Sequence, residues 1–163
     1  MENHAATSNI TRTKNPVKAI LIIGLIAGTL DITTAIIYYK VAPLTMGQVI
    51  ASGAVGREAA FAGGLPMSLL GWFFHYFIAT TWATIFFLLY PRIKILSTWN
   101  SVVVGLLYGV VVWIGMNRIV LPLSQIKQGP FNLTQALIGM TILMIMIGLP
   151  ISVLTRRYYS ANK

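Results

Sequence analysis

Residues 133–154 read LTQALIGMTILMIMIGLPISVL and contain no charged side chain. A helix needs about 20 mostly apolar residues to cross a hydrocarbon core of about 30 Å, so this stretch is long enough to span a membrane. Residues 19–39, 67–90 and 102–121 meet the same requirement. The run 142–147 is continuously apolar, whereas a β-barrel strand would alternate polar and apolar residues. The sequence therefore predicts an all-α membrane protein, a bundle of four transmembrane helices.

The composition agrees with this class. Of 163 residues, 56% are hydrophobic and 9% are charged, compared with about 25% charged in soluble domains. We expect one four-span domain over residues 19–154, between a polar cytoplasmic tail at 1–18 and a basic cytoplasmic tail at 155–163. The lipid bilayer is then the first partner of the chain.

The basic residues indicate an orientation, because cytoplasmic segments of membrane proteins hold the excess of Lys and Arg. If both termini are cytoplasmic, eight basic residues lie inside: Arg12, Lys14, Lys18, Arg92, Lys94, Arg156, Arg157 and Lys163. Four then lie outside: Lys40, Arg57, Arg118 and Lys127. This asymmetry explains the net charge of +9 without nucleic acid, and we expect no nucleic-acid partner.

The connection between the first two spans, residues 40–66, is unusual because it contains five glycines. Small residues recur in it at a spacing of four, which places them along one helix face: Ser52, Gly56, Ala60 and Gly64. Residues 48–61 are thus predicted to form a short interfacial or re-entrant helix that packs closely on its neighbour. The alternative is a flexible glycine-rich loop, since glycine lowers helix propensity.

Small residues also predict where the spans pack. Gly24 and Gly28 form a GxxxG motif in the first span, and Gly105 and Gly109 form another in the third. Gly71 begins a small-residue stripe in the second span. Such motifs allow helix backbones to approach closely, and we expect packing within the chain more than dimerisation.

Two ionisable residues fall inside predicted spans, Asp31 in the first and His75 in the second. Each lies eight residues from the outer end of its span, or about 12 Å deep at about 1.5 Å per residue. The same arithmetic places Trp113 and Thr141 in that layer. Placing an ionisable side chain at such depth in hydrocarbon costs free energy, and such residues therefore suggest a functional site. We expect Asp31 and His75 to face each other there.

This polar layer permits two interpretations. A carboxylate beside an imidazole can hold, share or relay a proton near neutral pH, as a transport switch would require. The same pair could instead be a structural hydrogen bond that sets the register of the helices.

A second polar pair is predicted at the outer face. Glu58 is the only acid in the long outer connection, and Arg118 lies three residues before the predicted end of the third span. We expect the two to form an ion pair that docks the short helix. Alternatively, Arg118 extends to a lipid phosphate.

The sequence does not favour an enzyme. Asp31, Glu58 and His75 are the entire acid–base set outside the first 18 residues, and there is no Cys. No nucleophile-elbow, HExxH or phosphate-loop motif is present. We therefore expect no catalytic residues, no metal site and no cofactor.

One resemblance covers residues from about Val17 to Leu154. The chain resembles small uncharacterised bacterial inner-membrane proteins of the YagU-like type in these residues: Gly28-Thr-Leu-Asp31, Ile50-Ala-Ser-Gly53, Gly56, Gly63-Gly64, Gly71 and His75. The resemblance implies a multi-pass protein of the bacterial inner membrane and no assigned reaction.

Two functions follow as hypotheses. The first is a structural or accessory helical bundle. The alternative is a small proton-linked transporter or channel that uses Asp31 and His75; it would be a homo-oligomer, because four helices rarely enclose a wide path alone. The small-molecule or ion substrate is not defined by the sequence.

Overall fold

The structure is a computed structural model, and it describes residues 15–127 and 129–162. Those residues form helices and connections, with no β-strand among them. The predicted tail residues 1–14 lie outside the described residues. Seven helices follow one another along the described chain: α1 (Pro16–Tyr39), α2 (Pro43–Val55), α3 (Arg57–Ala62), α4 (Gly64–Leu89), α5 (Lys94–Thr98), α6 (Ser101–Leu123) and α7 (Leu133–Ser160).

Four of these helices, α1, α4, α6 and α7, are long and apolar enough to cross a membrane, with lengths of 24, 26, 23 and 28 residues. They correspond to the four apolar stretches predicted from the sequence. The all-helical class and the four candidate spans are thus confirmed.

Asparagine side chains set the beginnings of three long helices. The Asn15 carboxamide oxygen accepts hydrogen bonds from the Val17 and Lys18 amides at 2.9 and 3.4 Å. Asn100 and Asn132 cap α6 and α7 in the same way, at 2.8 and 3.0 Å. Each cap satisfies amides that have no partner in the first helical turn. Since α1 already begins at Pro16, the last residues of the predicted 1–18 tail are helical.

Helix α7 continues beyond the predicted boundary at residue 154. Its last turns carry Tyr159, whose ring stacks on Tyr90 at a centroid distance of 5.0 Å. The Tyr159 hydroxyl also donates to the Phe87 carbonyl at 3.1 Å. Residues 155–160 therefore belong to the helix, which extends six residues past the span predicted from the sequence.

Two π-helical turns interrupt the long helices, Met116–Val120 in α6 and Met144–Gly148 in α7. Each is followed directly by Leu-Pro, with the prolines at Pro122 and Pro150. A proline ring in a helix collides with the carbonyl four residues earlier and provides no amide. The wider π turn accommodates both effects, which explains why the two irregularities occur in the same sequence context.

The connection after α1 forms two helices, so the prediction of one helix over residues 48–61 is wrong. The chain breaks at Gly56, whose φ of 84° is strained for any residue with a Cβ. This break also interrupts the predicted stripe of small residues. Instead, Gly47 of α2 faces the backbone of Ser68, and Gly71 of α4 contacts the Gly47 carbonyl, so α2 lies directly on α4.

Both GxxxG motifs pack within the chain. In α1, a Cβ at Gly24 would lie 2.6 Å from the Thr80 hydroxyl oxygen, and Gly28 faces Ala79. In α6, Gly105 and Gly109 face the backbone of α7 around Gly148. Helix α7 also contacts α1 and α4. The largest buried side chains of this core include Phe86, Val112 and Ile151.

Candidate functional site

A partly open cavity of about 1110 Å³ lies between the second half of α1, α2, α4, the end of α6 and the first half of α7. This volume is slightly above the usual range for small-molecule pockets, about 300–1,000 Å³. The walls are mostly apolar. The polar and aromatic residues that line it include Asp31, Tyr39, Phe74, His75, Trp82, Trp113, Asn117, Arg118, Asn132 and Gln135.

Asp31 lines this cavity from α1 and is partly buried. Among the described residues, its carboxylate forms no hydrogen bond and no ion pair. A buried charge is costly unless it is paired or hydrated. The open space beside Asp31 is therefore where water or a ligand would meet this carboxylate.

His75 lines the same cavity from α4, and its Nε2 lies 2.8 Å from the carbonyl oxygen of Gly28. A carbonyl can only accept, so Nε2 carries a proton and donates it. In the neutral imidazole, Nδ1 is then the acceptor nitrogen. The contact is possible because Gly28 has no side chain and lies against Tyr76 and Ala79 of α4.

The structure brings Asp31 and His75 to one cavity without the predicted direct contact. Both residues line one cavity, and His75 is near enough to act electrostatically on Asp31. Among the described residues, however, no hydrogen bond or ion pair joins them. The direct contact is absent because the Gly28 carbonyl, one turn before Asp31, takes the imidazole proton instead.

Of the other two residues in the predicted layer, Trp113 lines the cavity and Thr141 does not. Thr141 is exposed, and its hydroxyl donates to the Leu137 carbonyl at 2.9 Å. Helix α7 presents Gly139 and Leu143 to the cavity. Thr141 is two residues from each of them. At about 100° per residue, its side chain is rotated about 200° around the helix axis and lies on the opposite face. Thr141 therefore lies outside the cavity that Asp31, His75 and Trp113 line.

The π turn of α6 contributes two further lining residues, Asn117 and Arg118. The Asn117 carboxamide donates to the carbonyl of Trp113, one turn earlier in α6, at 2.9 Å. Asn117 was not among the site residues predicted from the sequence. Its polarity within an apolar run, together with Pro122 five residues later, was the available signal.

The predicted outer ion pair is not formed. Within residues 15–127 and 129–162, no ion pair involves Glu58 or Arg118. Glu58 is exposed in the first turn of α3, where it lines a shallow surface depression with Arg57 and Ala62. Arg118 lines the large cavity instead. Since the break at Gly56 separates α3 from α2, Glu58 is not carried on the helix that borders the cavity.

Another contact connects α2 to the chain between α6 and α7. The Gln125 amide donates to the Gly53 carbonyl at 2.8 Å, and the Gln125 side chain donates to the Ala54 carbonyl. Val49 and Ile50 of α2 line the cavity. Helix α2 therefore forms one cavity wall and is fastened at its C-terminal end.

The described part of the chain contains no group of three His, Asp or Glu residues that could hold a metal ion. The acidic and imidazole groups that line the cavity are Asp31 and His75. Comparisons of the chain with protein families, curated proteins and solved structures gave no match.

Proposed function

We propose that the protein is a multi-pass membrane protein in which α1, α4, α6 and α7 cross the bilayer as a four-helix bundle. The outward faces of these helices support this proposal. Phe73 and Phe77, one turn apart on α4, are 63% and 60% exposed, and Leu25 and Val111 are about half exposed on α1 and α6. Apolar surface of this extent would be costly in water and is compatible with lipid. Helix α2 would then lie within the outer leaflet.

The excess of basic residues at one end supports cytoplasmic termini, and the resemblance noted above supports the bacterial inner membrane. In this chain without Cys, a thiol introduced at Ser160 is expected to resist an impermeant maleimide in intact cells. A thiol at Gly129, where a Cβ meets no atom within 4 Å, is expected to react. Both sites should label after the membrane is opened. The opposite pattern in intact cells would reverse the orientation.

Within this membrane protein, we propose a small proton-linked transporter that uses the cavity as its substrate site. One observation carries the proposal: the Asp31 carboxylate, without a hydrogen-bond partner among the described residues, borders a cavity of about 1110 Å³. A purely structural carboxylate would be expected to bond to a neighbouring helix, because an unpaired charge in hydrocarbon is expensive. A carboxylate that binds a proton and a substrate in turn has to remain accessible.

His75 fits this proposal as a positioning residue. Its Nε2 is held by the Gly28 carbonyl, so the ring has a fixed orientation, and the neutral form retains Nδ1 as an acceptor. His75 and Asp31 therefore border the same cavity, with the ring held in place and no direct contact between the two side chains.

The structural or accessory role is the second candidate, and the backbone contacts favour it. The glycines of α6 and α7 meet at Gly105, Gly109 and Gly148, and Gly71 meets the Gly47 carbonyl. Such contacts hold the helices together whether or not the cavity binds a ligand. This role predicts no movement of charge when the pH changes.

The two candidates differ in the electrical response of proteoliposomes to a pH jump. Proton binding at Asp31 would move charge across part of the bilayer, so wild-type protein is expected to give a transient current on a solid-supported membrane. Asp31→Asn should abolish this current, whereas Glu58→Gln should retain it, because Glu58 is an exposed acid outside the cavity.

A current that decays supports a transporter. A sustained current would instead indicate that the protein is a channel. No current from wild-type protein, or an equal current from Asp31→Asn, would contradict proton exchange at Asp31. Asp31→Glu, which retains a carboxylate, separates loss of the acid from loss of folding.

A further inference from the structure

We propose that the cavity binds a lipophilic organic cation, an ammonium group carried on an aromatic or aliphatic body, with the Asp31 carboxylate as its counter-ion. This inference rests on the proposed function, because it names the substrate class of the same site. Three properties of the cavity support it: the arrangement of charge, the aromatic residues in the walls, and the volume.

The charge arrangement favours a positive ligand group at Asp31. Asp31 is the only acid among the described residues that line the cavity, and its carboxylate forms no hydrogen bond with any of them. Its acceptor positions are therefore open to a ligand. The imidazole proton on Nε2 of His75 is already donated to Gly28, so that nitrogen does not compete for the carboxylate.

Aromatic residues surround the same space. Tyr39, Phe74, Trp82 and Trp113 line the cavity from α1, α4 and α6. A cation within about 6 Å of an aromatic ring centre is attracted by the ring face, most strongly for tryptophan, and the attraction increases when water is excluded. Such rings favour a weakly hydrated organic ammonium over a neutral molecule of the same shape.

The volume and the ligand groups favour an organic molecule over a bare metal cation as the natural occupant. A metal cation requires several oxygen or nitrogen ligands within about 2–2.6 Å, and no group of three His, Asp or Glu occurs in the described residues. The cavity measures about 1110 Å³, and its walls are mostly apolar. Filling it with favourable contacts requires a molecule that has a substantial apolar part.

Arg118 is the one Lys or Arg among the described lining residues, and its positive charge would repel a cationic ligand that came close to it. It lies five residues before the end of α6, whereas Asp31 lies eight residues before the end of α1. These separations correspond to about 7 and 12 Å along the helices. The exposed Arg118 side chain is thus at the outer end, and Arg118→Gln should tighten the binding of a cation at Asp31.

The test uses three small aromatic probes that differ in charge: phenyltrimethylammonium, L-phenylalanine and benzenesulfonate. Their affinities are measured by isothermal titration calorimetry on the purified full chain in detergent micelles, with protein-free micelles as the blank. We expect wild-type protein and Glu58→Gln to bind phenyltrimethylammonium most tightly. Asp31→Asn should weaken that binding at least about tenfold, as expected for loss of a charge-assisted contact.

The pH dependence supplies a second measurement that does not rely on a variant. The charge of phenyltrimethylammonium is fixed, so a decrease of its affinity at lower pH reports a protein group. Protons compete with the ligand for the Asp31 carboxylate, so acid should weaken binding. The other titratable or charged side chains among the described lining residues are Tyr39, His75 and Arg118.

Tighter binding of phenylalanine or benzenesulfonate than of phenyltrimethylammonium would overturn the organic-cation assignment, as would equal binding by wild-type protein and Asp31→Asn. If the pH-jump current still depends on Asp31 in either case, proton exchange stands and only the substrate class is wrong. Loss of both signals would overturn both proposals.

Discussion

Replacing Gly109 by alanine is expected to lower the free energy of unfolding by about 1–3 kcal/mol, the usual range for a methyl group forced into a packed interface. A Cβ at Gly109 would collide with the Met144 backbone of α7, and it also faces the Leu143 carbonyl oxygen at 2.9 Å. Backbone atoms cannot move aside as a flexible side chain can, so α6 and α7 would have to separate.

The matched control is Gly139→Ala on α7. There the nearest atom to a new Cβ is the Trp113 indole nitrogen at 3.7 Å, an ordinary contact. This variant should be unchanged, or more stable by up to about 1 kcal/mol from helix propensity. Equilibrium unfolding in sodium dodecyl sulfate measures both variants.

The glycines across the interface provide a further check. Gly148 faces Gly105 and Gly109, so the combined Gly109→Ala and Gly148→Ala variant should cost less than the sum of the single changes. If Gly109→Ala is as stable as wild type while Gly139→Ala is not, the close approach of α6 to α7 is incorrect.

The long helices could be predicted because continuous apolar runs allow few structures. The deviations come from interactions that a hydropathy pattern does not contain. Helix α7 reaches Ser160 because Tyr159 stacks on Tyr90 of a distant segment. The connection after α1 divides at Gly56 because this residue adopts a positive φ, which the spacing of small residues cannot indicate.

The candidate site could be predicted only in part. The cost of burying ionisable groups selected Asp31 and His75, and both line the cavity. Depth along a helix, however, does not give rotation about its axis, so it could not indicate that Thr141 does not line the cavity. The partner of His75 is a backbone carbonyl, which no residue pattern identifies.

The remaining lining residues depend on helix irregularity. Asn117 and Arg118 reach the cavity from the π turn of α6, and that turn is associated with Pro122. An argument from regular helical spacing does not include this π turn, so it does not predict that the two residues line the cavity. A proline inside a long apolar run is therefore the sequence signal to examine for such positions.

A transport site at Asp31 requires that water reach the cavity beside this carboxylate. Single cysteines can be placed in the Cys-free chain at three positions of α1: Ala35, which lines the cavity one turn after Asp31; Ala27, which is 0% exposed in the core; and Leu25, which faces outward. A thiol reacts as the thiolate, which forms in water and is suppressed in lipid or in a packed core.

The measurement is the rate at which a small, positively charged methanethiosulfonate modifies each cysteine in native membranes. The cysteine at position 35 is predicted to react at least about tenfold faster than those at positions 25 and 27, because its thiolate can form in a hydrated cavity. Equal, slow modification at all three positions would show that the space beside Asp31 is closed to water, and it would contradict a transport site there.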